Sequence, residues 1–293
     1  MKHNKLFSLL SILFVASIMM CSCSMSMKDE ATIDYVALEI GSFDAIDGGN
    51  HISEYPIWNP EMLNYHQDQS APKEVSVIFN GKTYEGNYQK TSVSIPNTYL
   101  THRYEGENVY FETNDVTGEL TSISFIYEPS NDATLTEIDC KVIADSIADD
   151  YIVLNDYRVE TTSFDIYENM VYSFTYYREI NGYKTSDSLT VSIDGNGKIF
   201  SFGMNSLGAF EEVESVTYNS EKGQNAINSK LNDIYKDKSS RKGYTIDNTI
   251  LVRLEDGNVA LLYTVSNQFE NDNVTHQSQV QLLVKMPYNS KKQ

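Results

Sequence analysis

Leu189-Thr190-Val191-Ser192-Ile193-Asp194-Gly195-Asn196-Gly197-Lys198-Ile199-Phe200-Ser201 reads as two strands joined by a tight turn. Apolar and polar residues alternate on both arms, the period of a half-buried strand, and the turn puts a glycine where the chain needs a positive φ. Phe111 to Ser122 echoes the arrangement, with Gly118 standing 79 residues before Gly197. Helical patterns report nearly the same spacing. Cys140, Ile143, Ala144, Ile147, Tyr151 and Leu154 fall on one face of a helix, with Lys141, Asp145 and Asp149 opposite. Gly223, Ile227, Leu231 and Ile234 form a second stripe that begins near Asn219 and Ser220. Ile147 and Ile227 are 80 residues apart, as are Tyr151 and Leu231. Thr134 with Glu137 predicts a capping box at the start of the first helix. Between the helices, Arg158 to Tyr167, Val171 to Glu179, Ser188 to Asp194 and Lys198 to Met204 are strand-like, and Glu168-Asn169 and Asn181-Gly182 supply hairpin turns. The expected fold class is therefore α+β: tandem modules, each of one helix packed on an antiparallel meander sheet.

The helix from about Thr136 to Ile152, then Tyr172-Ser173-Phe174-Thr175-Tyr176-Tyr177, Ile180-Asn181-Gly182-Tyr183 and the Leu189 to Ile199 hairpin carry a resemblance. Together they resemble PepSY-like modules, the small cystatin-like units of bacterial exported proteins and of secreted metallopeptidase propeptides. The resemblance covers residues 131–212. Residues 213–288 follow as a divergent copy, with strands expected at Tyr244 to Leu254, Val259 to Gln268 and Gln277 to Met286. Residues 73–130 form a first, partial, strand-rich module that includes a Phe79-Asn80-Gly81-Lys82 hairpin. Only Asn59-Pro60-Glu61-Met62-Leu63 offers that module a helix start. Residues 23–72 read as a tether and a poorly assigned segment, in which Ile33 to Ile40 could form a strand and Asp44 to Glu54 reads as loop.

The first residues give an address. Lys2, His3 and Lys5 precede an apolar run from Leu6 to Met20, and Cys21-Ser22-Cys23 follows. The run is short of the roughly 18 to 20 residues that span a bilayer, so residues 1–22 read as an export signal. Met20-Cys21-Ser22-Cys23 resembles the lipobox of bacterial lipoproteins. Cys23, preceded by the small Ser22, is the better candidate for acylation, because a cut before Cys21 would have to follow Met20. Two or three acyl chains, at about 0.8 kcal/mol per buried methylene, would hold the chain on a membrane. The expected location is the extracytoplasmic face of the cell membrane, with the membrane reached through the lipid anchor.

Composition narrows the partners. There are 22 Lys+Arg against 41 Asp+Glu, a formal net charge of −19. Phosphate backbones would be repelled, which argues against nucleic-acid binding. With two of three cysteines in the signal region, Cys140 has no intramolecular disulfide partner after maturation at Cys23, so stability must come from packing.

No chemistry-bearing constellation emerges, and no catalytic residue, metal ligand or cofactor is expected. His51, His66, His102 and His276 lack zinc-site spacing. Cys140 lies on an apolar stripe, where a thiol is a small hydrophobe. In Asp194-Gly195-Asn196-Gly197-Lys198 the lysine stands where a calcium loop needs oxygen. Asp149-Asp150 and Glu211-Glu212 are sequence neighbours and do not define an acid–base pair across a cleft. The compositional excess is 21 tyrosines, of which Tyr172, Tyr176 and Tyr177 straddle both faces of one strand and are the candidate binding residues. The expected function is a non-enzymatic extracytoplasmic lipoprotein that binds or modulates another envelope or secreted protein. The resemblance implies a peptidase as one such protein. The alternative is a binding module for a small molecule or cell-wall polymer on an open sheet face.

Overall fold

The computed structural model describes residues 37–44, 49–51, 70–93, 100–127, 134–166, 169–236, 241–254, 257–271 and 274–290. In chain order these form β1 (Ala37–Asp44), β2 (Gly49–His51), β3 (Glu74–Phe79), β4 (Lys82–Val93), β5 (Leu100–Gly106), β6 (Val109–Asn114) and β7 (Leu120–Phe125). Helix α1 (Glu137–Ala148) follows, then β8 (Arg158–Ile166), β9 (Asn169–Ile180), β10 (Tyr183–Asp194), β11 (Ile199–Asn205) and β12 (Val213–Val216). The chain continues through α2 (Ser220–Ile234), β13 (Arg241–Arg253), β14 (Val259–Asn271), β15 (Val274–Met286) and β16 (Tyr288–Ser290). The signal, Cys23 and the Asn59–Leu63 helix start lie outside the described residues.

The α+β expectation is corrected: among the described residues the fold is mostly β, with sixteen strands and two α-helices. Its main sheet follows the order β2-β1-β15-β14-β13-β10-β11-β7-β6-β5-β4-β3, twelve strands in a mixed sheet, with β9 attached to β10 and β8 to β9. The physical reason lies in the two echoing hairpins. Each does form, with Gly118 at φ 71° and Gly197 at φ 82°. They then pair with one another, β11 against β7, through Ser201–Ser124 and Phe202–Ile123. The copies share one sheet instead of closing as separate helix-covered modules.

Two compact units divide the chain: Asn64–Glu179 with Ser186–Gly208, and the remainder. The first of these, the middle unit, holds β3 to β7, α1, β8, β11 and most of β9 and β10. Its core joins Cys140, Ala144 and Ile147 of α1 to Phe79 (β3), Tyr104 (β5), Phe111 (β6), Ile123 (β7), Phe174 (β9), Leu189 and Val191 (β10) and Phe202 (β11). Each fully buried ring or branched aliphatic contributes about 1.5–3 kcal/mol. One helix thus serves strands from both expected modules. Its N-cap is Thr136, whose Oγ1 accepts from the Asp139 amide at 3.3 Å while the Asp139 carboxylate accepts from the Thr136 amide at 3.0 Å. The expected box at Thr134 and Glu137 is displaced by two residues, because the Thr134 and Leu135 amides both donate to the Gly195 carbonyl, at 3.0 and 2.9 Å. That pair of bonds straps the helix entry to the β10–β11 turn. The same contact requires Gly197, where a Cβ would stand 2.9 Å from Leu135 Cδ1. Asn80-Gly81 and Asn181-Gly182 adopt the paired positive φ values of two-residue hairpin turns, 47° and 72°, and 50° and 81°.

The terminal unit pairs β1 with β15, and continues antiparallel through β14 to β13. One parallel bridge joins Thr185 to Leu251. Gly223, Ala226, Ile227 and Leu231 are the buried stripe of α2, and Asn219 caps it by accepting from the Lys222 amide at 2.9 Å. The strand expected from Ile33 is described from Ala37, and the Asp44 to Glu54 segment read as loop contains β2, which pairs with β1. β12 and β16 form a separate two-stranded sheet.

Candidate ligand-binding face

Alternation along the middle-unit strands sends one set of side chains to α1 and the other to the opposite face. On β9 the helix side carries Phe174 and Tyr176, so Ser173, Thr175 and Tyr177 point away. The registers extend this opposite face across the sheet. Thr162 of β8 stands beside Ser173 of β9. The Ser173 and Ser192 hydroxyls share a hydrogen bond at 2.7 Å. Ser192 faces Ser201 of β11, which faces Ser124 of β7. Five hydroxyl side chains on five adjacent strands thus make one row, spanning about 19 Å at the usual strand spacing. A parallel row places Glu160 beside Thr175, joins Thr175 to Thr190 at 3.1 Å, and runs on to Gly203 and Ser122. Gly203 leaves that row low, since it has no side chain.

Alongside the rows, toward the β10–β11 turn, runs a line of aromatic rings from β8 to the end of β7. Phe200 packs edge-on against Phe164, with centroids 5.9 Å apart, and against Tyr127 at 5.8 Å. Phe164 is 41% exposed. Beside them is an open depression of about 260 Å³ lined by Phe125, Tyr127, Phe200, Asn108, Asp194 and Lys198. Within it the Tyr127 hydroxyl is buried and has no hydrogen-bond partner among the described residues. Burial, then the Asp194 and Asp165 charges, raises its pKa, so the phenol stays protonated and can donate. The Asp194 carboxylate is already engaged: its Oδ1 accepts from the Asn196 amide at 3.0 Å and the Lys198 amide at 2.8 Å, closing the turn. That use accounts for the acidic residue without a cation.

The three tyrosines singled out from the sequence are not brought together. Tyr176 is on the helix side, 2% exposed, and donates to Asp145 Oδ1 at 2.7 Å; burial and then Asp145 raise its pKa. Tyr172 packs partly buried against the same core. Tyr177 lies on the hydroxyl face, half-buried, in register with Arg158. The residues that sequence reasoning missed are the serines and threonines. Their signal was available as hydroxyl residues at every second position in three strands, Ser122 and Ser124, Ser173 and Thr175, and Thr190 and Ser192.

Other polar groups have structural work. Asp187, fully buried, accepts from the Tyr157 hydroxyl at 2.7 Å and from Arg178 Nε at 3.2 Å, with the guanidinium 5.1 Å from the Tyr157 ring centroid. Burial, then Asp187, pushes the Tyr157 phenol up. Cys140 is fully buried, its thiol donates to the Asp194 carbonyl at 3.5 Å, and burial pushes that thiol up to about 11. Among the described residues no three His, Cys, Asp or Glu side chains are grouped to hold a metal ion, and no helix is long and apolar enough to cross a membrane. No family model matches the chain, and neither a curated protein nor a solved structure matches it.

Proposed function

We propose that this protein is a non-enzymatic, lipid-tethered binding protein of the cell envelope whose middle-unit sheet holds a neutral glycan strand along the hydroxyl rows. The observation that carries the reading is the row Thr162, Ser173, Ser201, Ser124, held together through the buried Ser192 and flanked along its length by the Phe164, Phe200 and Tyr127 rings. Sugars offer hydroxyls in both donor and acceptor roles and apolar ring faces, and serine and threonine hydroxyls with aromatic edges match that mixture. The Tyr127 phenol adds an unused donor beside the row. A net charge of −19 disfavours phosphate- or uronate-bearing polymers.

Calorimetric titration with a length series of neutral β-linked oligosaccharides tests the reading. Affinity should rise with chain length and level off once the row is covered, and Phe164→Ala combined with Ser124→Val, an exposed member of the row, should weaken it about tenfold, the worth of a hydrogen bond and a ring contact. The absence of saturable heat across the series would remove the reading. A protein partner is the second reading, supported by a different surface: Ile138 and Val142, one turn apart on α1, are 77% and 66% exposed.

A further inference from the structure

Among the described strands, the sheet ends at β2, β3 and β8. β2 has three residues and β3 six, whereas β8 has nine. β8 pairs with β9 in unbroken register from Arg158–Tyr177 to Ile166–Asn169, with no bulge. It contains no proline, glycine or lysine. Natural edge strands are blunted by those devices, because a straight row of outward N–H and C=O groups is a template for another strand. β8 lacks proline, lysine and a bulge, and the charges it does carry are Arg158 at its start and the acidic Glu160 and Asp165 within it, which oppose an acidic strand. Val159 and Phe164, on its two faces, are 40% and 41% exposed.

We propose that β8 receives an extended, basic segment of another protein as an added antiparallel strand. Main-chain hydrogen bonds along the open edge give affinity, and alternate side chains give selectivity. Residues opposite Val159 and Phe164 are apolar, and residues opposite Glu160 and Asp165 are basic, which prescribes the order basic-apolar-x-x-x-basic-apolar. The net charge of −19 draws such a segment in and repels an acidic one. A second copy of the chain fits poorly. Twofold pairing about Thr162 sets Glu160 against Phe164 and Val159 against Asp165, so neither an ion pair nor an apolar pair forms.

The experiment uses the purified full chain and a labelled peptide Ser-Lys-Val-Thr-Ser-Thr-Lys-Val-Ser, followed by fluorescence anisotropy and by amide deuterium exchange. Saturable binding is expected, weakened at least tenfold when both lysines of the peptide become glutamates. Exchange should slow at alternate amides within 158–166, and Val159→Lys should weaken binding about fivefold without altering the melting temperature. Failure to bind, binding without slowed exchange in 158–166, or exchange there that is already slow in the protein alone would each overturn the proposal. The glycan reading shares Phe164 with this edge, but Val159, opposite the core-facing Tyr176, lies off the hydroxyl face, so Val159→Lys and exchange within 158–166 report on the edge alone.

Discussion

Cys140 illustrates how a single side chain ties sequence to stability. Its position on an apolar helical stripe predicted a buried, unreactive thiol, and the structure buries it completely beneath Asp194. Burial first, then the Asp194 and Asp139 charges, raises its pKa from 9.0 to about 11. A raised folded pKa means that the neutral thiol favours the folded state. The contribution is whole below the unfolded value of 9.0 and is lost as pH rises through about 11. Urea unfolding midpoints should therefore fall across that alkaline interval, and Cys140→Ala should flatten the slope. Ellman's reagent at neutral pH should label the thiol in urea and not in the folded chain. Tyr176 teaches the opposite lesson about legibility. A tyrosine on a strand gives no sequence sign of which face it occupies, and the acceptor that fixes it, Asp145, sits on a helix with no local link to β9.

Among the elements, the turns were legible because they are local. Asn80-Gly81 and Asn181-Gly182 need positive φ at consecutive residues, and few other pairs supply it. The start of α1 was legible only to within two residues, because a distant carbonyl, that of Gly195, decides where the helix begins. The hydroxyl rows were half legible for the same reason: alternating hydroxyl residues show in single strands, but they line up as rows only once the registers β8–β9, β10–β11 and β11–β7 are set. The observed cap makes its own prediction. Thr136→Ala removes the acceptor for the Asp139 amide and should cost about 1 kcal/mol, read from urea unfolding, whereas Thr134→Ala should cost nothing comparable. Hydrogen bonds from Thr136 also hold the Asp139 carboxyl below its ordinary value. A lowered carboxylate pKa contributes stability above the unfolded value of 3.8 that disappears as pH falls through the lower folded one, so the difference between Thr136→Ala and the parent should shrink in acid.

For the whole molecule, sequence periodicity identified the pieces and misjudged their assembly. Two hairpins and two helices about eighty residues apart suggested repeated modules, yet strand pairing across the copies made one large mixed sheet. Periodicity reports what a segment is, and nothing in it reports which segment lies alongside. The proposed tether is testable at this scale: Cys23→Ala should move the protein from the membrane pellet to the soluble fraction and abolish incorporation of labelled palmitate, while Cys21→Ala should leave both unchanged. The pairing of β1 with β15 sets a timetable. Ala37 meets Val284, nearly a full chain length away, whereas all strand partners of β3 to β7 lie between Glu74 and Asn205. During synthesis the middle unit can close while residues 209–293 are still being made. β1 meanwhile waits without its neighbour, so an emerging polypeptide halted before Val274 carries a bare strand that invites capture by chaperones or by its own kind.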